Sequence, residues 1–284
     1  KSRFCVKMLS VITNLPVSKL ETKAREIRRQ VIKMVYGAGS GHPGGSLSST
    51  DILAALFFGG GLRFNSQDLN DPRSDRFILS AGHVCPAYYA VLSKCGFIKE
   101  KELANLRQLD SRLQGHPSSL HAPFVACSTG SLGQGLSVGL GMALASRLKK
   151  GNHFIVVLTS DGEHNEGSIW EVAMAAPHYR LGNLINIIDR NGMQVGGKTE
   201  EQIGLEPLAS KYKAFGWQVL LVNGHDYREL LRAFCQAKES HLKPTVIIAK
   251  TIRGRGVSFM EEKKRYHACT LTKREYERAM GELR

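Results

Sequence analysis

The chain has 284 residues, of which 42% are hydrophobic and 23% charged, and its formal net charge is +14. This composition is typical of a soluble globular protein and excludes a disordered or fibrous chain. No apolar run approaches the roughly 20 residues that a membrane helix requires, so we expect no membrane association.

The positive charge is concentrated at the two ends of the chain. Residues 1–33 contain nine Lys and Arg against two Glu, and residues 250–284 contain ten against five. No zinc-finger spacing, RNP-like sequence or basic stripe interleaved with aromatic residues accompanies this excess. The distribution argues against nucleic-acid binding and favours a solvated basic face or docking to an acidic protein.

Six cysteines occur without a C-x-x-C pair or the spacing of a zinc site, at positions 5, 85, 95, 127, 235 and 269. A chain of this size without a secretory signal has no reason to form a disulfide framework. We therefore expect free thiols and a cytoplasmic location.

The first half of the chain is predicted to be mainly helical around a glycine-rich loop. Helical spacing of apolar and basic positions extends from Leu20 to Val35, and Ser49-Thr50-Asp51 resembles a helix N-cap before an apolar run. The glycine-rich segment 37–45 lies between them. Further along we expect a strand at 76–80, helices at 86–94, 100–109 and 133–148, and a polar loop that reaches residue 128.

The second half alternates between apolar runs and helix-like segments. Such alternation predicts βαβ units and hence an α/β fold, a parallel sheet with helices on both faces. We expect one domain over residues 20–284, preceded by an N-terminal extension over residues 1–19. The predicted strands are 154–159, 184–189, 218–223 and 245–250, and the helix-like segments are 167–180, 205–215 and 226–238.

Polar residues follow two of these strands at the edge where α/β proteins bind ligands. Asp161 comes after the run 154–159, and Asn191 after the run 184–189. The single intervening helix makes the two strands parallel, so their carboxyl ends share one edge of the sheet. A carboxylate and an amide oxygen suit Mg²⁺, and Gly162 leaves the backbone open to a bulky anion. The combination predicts a metal-diphosphate site, although Asp-Gly and Asn-Gly are each ordinary turn signals.

Six segments carry a resemblance to a known family. Residues 160–191 are similar to the thiamine diphosphate motif, in which G-D-G is followed some thirty residues later by N-N or a variant. The other five resemble, in order, the diphosphate-binding domain of transketolase: SGHPGGSLSSTDILAALFF, LSAGHVCPAYYAVL, GHPS, STGSLGQGLSVGLGMALA and KTIRGRGVSFME. The similarity covers roughly residues 20–270 and suggests the N-terminal subunit of two-chain transketolases.

This resemblance implies a thiamine-diphosphate-binding fold and a set of binding residues. Asp161, Asn191 and Met193 would bind Mg²⁺ or Ca²⁺, the last through its carbonyl group. Glu166 would lie at a subunit interface. The cofactor, thiamine diphosphate, would contact His83, Gly130, Ser131, Leu132, Gly162, Glu163, Asn191 and His267.

The resemblance also assigns catalytic roles to four histidines. His42 and His116 would line the substrate channel and hydrogen-bond sugar hydroxyls. His83 and His267 would stand beside the diphosphate and the reacting carbons. Ketol transfer moves protons between oxygen atoms near neutral pH, a task that suits imidazole.

Two positions depart from the family pattern. Ser160 replaces the first glycine of G-D-G, which a residue that closes a strand tolerates. Where the two-chain family usually has W-H-G-K, this chain has Tyr266-His267-Ala268-Cys269. An alanine in place of that glycine can shift the loop that carries His267 and alter the donor preference.

The resemblance further implies that a second polypeptide completes the active site. In this family a glutamate of the pyrimidine-binding domain activates the cofactor, and that domain also carries arginines for the sugar phosphate. We expect the pyrimidine-binding and C-terminal domains on a C-terminal transketolase subunit, in a dimer of heterodimers. The expected reaction is two-carbon ketol transfer between a ketose phosphate and an aldose phosphate, with no activity from this chain alone.

Other functions share parts of these motifs. A transketolase-like subunit for another sugar, or a deoxyxylulose-phosphate synthase, would carry the same metal motif, although SGHPGGSLS and GSLGQGLS favour transketolase. The segment TGSLGQG also resembles the T-G-x-x-x-G-x-G of NAD(P)-dependent oxidoreductases, but it is one residue short and no Y-x-x-x-K follows. A non-catalytic scaffold is disfavoured because the metal-binding residues and histidines are all present.

Overall fold

A computed structural model describes residues 14–65 and 71–284. The predicted extension, residues 1–19, lies largely outside these ranges, and its last three residues already belong to the first helix, α1 (Val17–Gly37). Within the described ranges, no helix combines the length and the apolar character needed to cross a lipid bilayer.

The first half of the chain is helical, as predicted, with one strand. The predicted helix at 100–109 is a short 3₁₀ helix, Glu100–Asn105, because Arg107 and Asp110 adopt left-handed backbone angles (φ of 61° and 60°) that end it. The other elements are α2 (Pro43–Ser48), α3 (Thr50–Phe58), β1 (Arg76–Leu79), a 3₁₀ turn (Gly82–Val84), α4 (Cys85–Lys94) and α5 (Gln134–Leu148).

The second half alternates between strands and helices, and the four predicted strands are present. A small hairpin, the short helix that follows it and a last helix were not predicted. The elements are β2 (Ile155–Ser160), a 3₁₀ turn (Gly162–Asn165), α6 (Gly167–His178), β3 (Leu184–Arg190), β4 (Met193–Gln194), β5 (Gly197–Lys198), α7 (Thr199–Gln202), α8 (Leu208–Phe215), β6 (Gln218–Asn223), α9 (Tyr227–Glu239), β7 (Thr245–Lys250), a 3₁₀ turn (Lys264–His267) and α10 (Lys273–Glu282).

Five strands form one parallel sheet in the order β1-β2-β3-β7-β6. β2 and β3 are neighbours, with Leu158 opposite Ile187, and β7 lies between β3 and β6, with Ile247 opposite Leu220. The predicted α/β fold with a parallel sheet is confirmed.

Helices cover both faces of the sheet, so alternate strand residues enter two separate cores. Val156 and Leu158 of β2 pack in one core with α1, α3, α4 and α9, and Ile155 and Val157 pack in the other with α5, α6 and α8. Each such side chain is almost fully buried. Burial of one such side chain contributes about 2 kcal/mol to the stability of the fold. The two cores hold the strand ends rigidly, which gives the loops beyond them fixed positions.

The last helix, α10, is fastened to the first. The rings of Tyr36 and Tyr276 stack with centroids 4.3 Å apart. Arg29 of α1 donates hydrogen bonds to the carbonyls of Met280 and Leu283, which lack partners inside α10. The basic residues of α1 therefore serve in part to bind the C-terminal end of α10.

Candidate functional site

The edge of the sheet where β2 and β3 end brings the predicted metal ligands close together. Asp161 Oδ2 accepts a hydrogen bond of 2.6 Å from the backbone N–H of Gly192, just beyond β3. Asn191 Oδ1 accepts one of 3.1 Å from the N–H of Met193, at the start of the β4–β5 hairpin. Gly192 has a φ of 75°, which glycine adopts without strain. The two loops meet as their places after adjacent strands predicted, and their role as metal ligands stays a prediction.

Asp161 is almost inaccessible, at 1% exposure, and its charge is incompletely neutralised. The Arg190 guanidinium lies 3.2 Å from its Oδ2 but is shared with Glu200 at 2.7 Å and Glu206 at 3.1 Å. Burial, and next the charge of Asp189, raise the pKa of Asp161 to about 7 against the opposing effect of Arg190. A buried carboxylate in this situation favours an additional cation.

The predicted ligands form an oxygen-only set of one carboxylate, one amide and one carbonyl, which suits Mg²⁺ or Ca²⁺. Within the described ranges, no group of three or more His, Cys, Asp and Glu side chains is arranged to hold a metal. A divalent cation at this edge therefore needs further oxygen ligands, and a diphosphate group would supply them.

Three of the predicted histidines form a cluster. Ring centroids are 5.1 Å apart for His42 and His83, 5.4 Å for His42 and His267, and 5.5 Å for His83 and His267. They come from three separate parts of the chain: the loop before α2, the 3₁₀ turn after β1, and the 3₁₀ turn before α10. We refer to these three residues as the histidine cluster.

His116 joins the cluster through two glycines. Its ring lies over Gly130, where an added Cβ would be 3.3 Å from the imidazole Cγ. The backbone of Gly130 in turn lies against Gly82, where an added Cβ would be 3.0 Å from the Gly130 nitrogen. Because His83 directly follows Gly82, all four predicted histidines border one region.

Two arginines determine which ring nitrogen carries the proton in His42 and His267. Arg107 lies 3.4 Å from Nδ1 of His42, and Arg253 contacts Nδ1 of His267. Arginine only donates hydrogen bonds, so each Nδ1 accepts, and the neutral ring then carries its proton on Nε2. Both rings thereby offer an Nε2–H donor, which suits a hydroxyl or carbonyl oxygen.

Burial is the main cause of the lowered pKa values in the histidine cluster. It lowers the pKa of His42 to about 4, with Arg107 contributing, and the pKa of His267 to about 4, with Arg253 contributing. Burial and the nearby rings hold the pKa of His83 well below its ordinary value. The three rings are therefore uncharged at neutral pH.

The loop that carries His267 is held against the segment that carries His42. The N–H of Cys269 donates to the carbonyl of Gly41 at 3.0 Å. Gly44 approaches so closely that an added Cβ would lie 2.7 Å from the carbonyl oxygen of the residue before His267. These contacts place His267 in the cluster even though alanine replaces the family glycine.

Arg253 connects the histidine cluster to the metal loops. Besides His267, it donates from Nη1 to the carbonyl of Gln194 in β4 at 3.2 Å. Its side chain is 2% exposed, and its Nε has no hydrogen-bond partner among the described residues. A buried guanidinium with an unused donor fits an anionic group such as a phosphate.

The remaining predicted cofactor residues lie in two environments. Gly130, Leu132 and Gly162 are half-buried around this region, and Ser131 is exposed. Glu163 is different, because its side chain is 0% exposed and its carboxylate is occupied by hydrogen bonds from Ser80 and Gly133 of other loops. The prediction that Glu163 contacts the cofactor can therefore hold only for its backbone.

Glu166, predicted to lie at a subunit interface, is exposed at the start of α6. From there, α5 and α6 pack side by side and present apolar side chains to the outside. The exposed fractions are 39% for Val138, 82% for Leu148, 59% for Met174 and 44% for Tyr179. We refer to this surface as the α5–α6 face.

Two residues of this site, Arg107 and Arg253, were not predicted from the sequence. Arg253 lies inside the KTIRGRG segment that carried part of the resemblance, so a signal for it was available. Arg107 lies in an irregular loop with a left-handed backbone angle, where neither apolar periodicity nor a motif indicates a role.

Comparison with known proteins agrees with the motifs. The sequence matches the family described as transketolase, thiamine diphosphate binding domain, over residues 20–283. One subunit of the apulose-4-phosphate transketolase of Phocaeicola vulgatus is 39% identical over 269 residues, which are 95% of each chain. The transketolase of Homo sapiens is 41% identical over 265 residues, which are 93% of this chain and 42% of the human one.

The fold is similar to that of a solved transketolase from Campylobacter jejuni. The TM-score is 0.88 and the identity is 32%, over 95% of this chain and 43% of the other. The fold implied by the resemblance is thereby confirmed. This chain spans almost all of the subunit from Phocaeicola vulgatus and less than half of the human and Campylobacter chains.

Proposed function

This chain belongs to the family of transketolase thiamine diphosphate binding domains, and from that premise we propose that it is the diphosphate-binding subunit of a two-chain transketolase. With a second polypeptide it transfers a two-carbon ketol unit from a ketose phosphate to an aldose phosphate. The observation that carries this proposal is the position of Arg253, which contacts the histidine cluster on one side and the β4–β5 hairpin beyond Asn191 on the other.

The chain's own residues bind the charged end of the cofactor. Asp161, Asn191 and the carbonyl of Met193 would hold the divalent cation, whose charge would neutralise the diphosphate. Arg253 meets the remaining negative charge with its unused Nε. Thiamine diphosphate, when bound, supplies the carbon nucleophile that takes up and releases the two-carbon unit.

The histidines act on the oxygen atoms of the sugar. His42 and His267 donate hydrogen bonds from Nε2, since their Nδ1 atoms are held by Arg107 and Arg253. Their lowered pKa values keep both rings neutral at pH 7, so each ring donates its Nε2–H to a sugar oxygen without carrying a charge itself. Arg107 adds positive charge beside His42, which suits a phosphorylated donor and acceptor.

We propose that a second polypeptide supplies the pyrimidine-binding domain, with its activating glutamate and its arginines for the sugar phosphate. The relative from Phocaeicola vulgatus is named as one subunit of a transketolase, and this chain covers 95% of it. The human transketolase is a longer chain, of which this chain covers 42%. The name of the Phocaeicola vulgatus relative, as a subunit, supports a site divided between two chains.

Two copies of this subunit pair through the α5–α6 face in our proposal, to give a dimer of heterodimers. The face exposes large apolar side chains, begins at Glu166, and lies next to the loop of Gly133, so pairing would also shield the cofactor loops. The five cysteines in the described part of the chain are free thiols, which supports a reducing, cytoplasmic location.

The decisive experiment is an assay of ketol transfer with this chain by itself, with its candidate partner by itself, and with both. Thiamine diphosphate and Mg²⁺ are supplied or omitted, and a ketose phosphate donor is paired with an aldose phosphate acceptor. We expect turnover only in the mixture that contains both chains, the cofactor and Mg²⁺.

Turnover by this chain alone would contradict the divided site. If the mixture binds NADPH and not thiamine diphosphate, the chain is an oxidoreductase and the proposal is wrong. Binding of thiamine diphosphate with turnover of a different sugar would retain the cofactor assignment and change only the substrate.

A further inference from the structure

One buried carboxylate, that of Glu163, connects three separate loops of the proposed cofactor site. Its Oε1 accepts hydrogen bonds from the hydroxyl of Ser80 at 2.5 Å and from the backbone N–H of Gly133 at 3.0 Å. Its Oε2 accepts from Ser160, from the backbone N–H at 2.8 Å and from the hydroxyl at 3.4 Å. With 0% exposure, the carboxylate has no solvent to replace any of these partners.

Each of the three donor residues lies within a few residues of a predicted cofactor or metal contact. Ser80 follows β1 and leads into the turn that contains His83. Gly133 closes the loop formed by residues 130–132 and begins α5, and Ser160 directly precedes Asp161. By accepting hydrogen bonds from all three loops, the carboxylate holds them at fixed distances from one another.

These loops are packed without spare room. An added Cβ at Gly135 would lie 2.5 Å from the Ser80 Oγ, and the Thr129 hydroxyl donates to the Leu79 carbonyl at 2.7 Å. A displacement of one loop is transmitted to the next, because close-packed interiors do not deform gradually.

Only a carboxylate satisfies all three donor residues. Both of its oxygens accept, whereas the amide of glutamine would direct an NH₂ group at one of the donors and leave buried groups unpaired. An aspartate keeps the charge but is one methylene shorter. From its position beside Ser160 it cannot also reach Ser80 and Gly133.

We propose that Glu163 is a positioning residue that sets the spacing of the three cofactor loops and thereby the affinity for thiamine diphosphate and Mg²⁺. This inference rests on the proposed function. The side chain touches neither cofactor nor substrate, and it acts through the loops that end at Ser80, Gly133 and Ser160.

The test compares wild type with Glu163→Gln, each assembled with its partner subunit. Titration calorimetry with thiamine diphosphate and Mg²⁺ is expected to give about tenfold weaker binding for the variant. A loss of this size is usual when a residue that positions metal ligands is replaced. At saturating cofactor, kcat is expected to recover in large part, so the loss appears in the apparent KM for cofactor.

A second measurement on the same variant needs no cofactor. Hydrogen exchange of the free chain is expected to accelerate in segments 80–84 and 129–134 and to stay unchanged in α9. This pattern separates loosened loops from general destabilisation.

The matched control is Asp75→Asn, at another buried carboxylate. Asp75 precedes β1, at the opposite end of the sheet, and accepts hydrogen bonds from the N–H groups of Arg63 and Phe154. We expect this variant to lower the thermal midpoint without changing cofactor affinity. Ser80→Ala, which removes one of the donors to Glu163, should lose less affinity than Glu163→Gln.

If Glu163→Gln does not fold, Glu163→Asp replaces it in both measurements with the same expectation. Wild-type affinity and wild-type exchange in a folded variant would overturn the inference. So would loss of folding in both variants, because Glu163 would then support the whole core. A wild-type complex that binds no thiamine diphosphate contradicts the proposed function instead, and the exchange pattern still decides the role of Glu163.

Discussion

At the scale of single residues, Asp161 is the group on which cation binding depends most directly. Asp161→Asn keeps an oxygen to accept from Gly192 but removes the negative charge. We expect the affinity for thiamine diphosphate in the presence of Mg²⁺ to fall by more than about hundredfold. Loss of a residue that only supports a metal ligand already lowers metal affinity by up to about hundredfold, and Asp161 is a predicted ligand itself. Calorimetry on the assembled complex measures the loss, and circular dichroism checks the fold.

The control for this prediction is Asp226→Asn. Asp226 caps α9 by accepting from the N–H groups of Arg228 and Glu229, and asparagine caps helices about as well. This variant should bind cofactor as wild type does. Equal affinity of Asp161→Asn and wild type would remove Asp161 from the metal site.

The histidine cluster predicts a loss of stability in acid. Burial lowers the pKa of His42 and of His267 to about 4 in the folded chain, while the unfolded chain retains values near 6.5. Between these values the unfolded chain binds more protons. The two histidines therefore leave the free energy of unfolding undiminished above about pH 6.5 and lower it as the pH falls towards about 4.

Urea unfolding of the cofactor-free chain across this range measures the effect. His42→Gln and His267→Gln should each make the free energy of unfolding less dependent on pH. His241→Gln removes an exposed imidazole and serves as the control. An unchanged pH dependence in both cluster variants would contradict the prediction.

At the scale of elements, the short helix α2 has a place in the site that its composition does not suggest. An added Cβ at Gly44 would lie 2.7 Å from the Tyr266 carbonyl oxygen and 3.0 Å from Nε of Arg253. Gly44→Ala should therefore displace the His267 loop, at a cost in folding free energy of about 1–3 kcal/mol. We expect lower kcat and weaker cofactor binding in the complex, even though alanine favours helix.

Gly37→Ala is the matched substitution, since no atom lies within 4 Å of a Cβ added there. It should leave activity unchanged. If Gly44→Ala is as active and as stable as wild type, the close approach of α2 to the His267 loop is not needed for activity or stability.

The sequence predicted those elements whose residues carry a strong local pattern. Strand β2 was expected at 154–159 and is Ile155–Ser160, because a run of buried β-branched residues has few alternatives. Helix α2 was not predicted, because its two glycines disfavour helix and only tertiary contacts hold it. Helix α10 was missed because its surface is polar and it buries little beyond Ala279.

The same distinction applies to the site. Asp161 and Asn191 were predicted because they follow two strands that one intervening helix makes parallel and that were expected to be neighbours. The contact of Arg107 with His42 joins residues 65 apart through an irregular loop, and no local pattern records it. Nor could the sequence indicate that the Glu163 carboxylate is buried in hydrogen bonds, since these depend on partners as distant as Ser80.

At the scale of the whole molecule, the α5–α6 face predicts the state of assembly. Met174→Glu places a charge where an apolar face would be covered, and burying an unpaired charge is unfavourable. We expect the complex with the partner subunit to change from the proposed dimer of heterodimers to a single heterodimer, with reduced activity. Light scattering after size-exclusion chromatography gives the mass.

Leu221→Glu is the control for surface charge, because Leu221 is 66% exposed on β6, away from this face. It should keep the assembly of wild type. An unchanged mass for Met174→Glu would show that copies pair elsewhere or not at all.

The place of β7 in the sheet has a consequence for how the chain is made. β6 leaves the ribosome before β7, yet β7 lies between β3 and β6 and is the only strand that pairs with β6 in the described sheet. Until Lys250 has emerged, the two strand edges that β7 later covers, one on β3 and one on β6, therefore stay unpaired in a nascent chain. Such edges promote aggregation. Translation that stalls before this point would leave a chain that depends on a chaperone, whereas the final strand closes the sheet in one step.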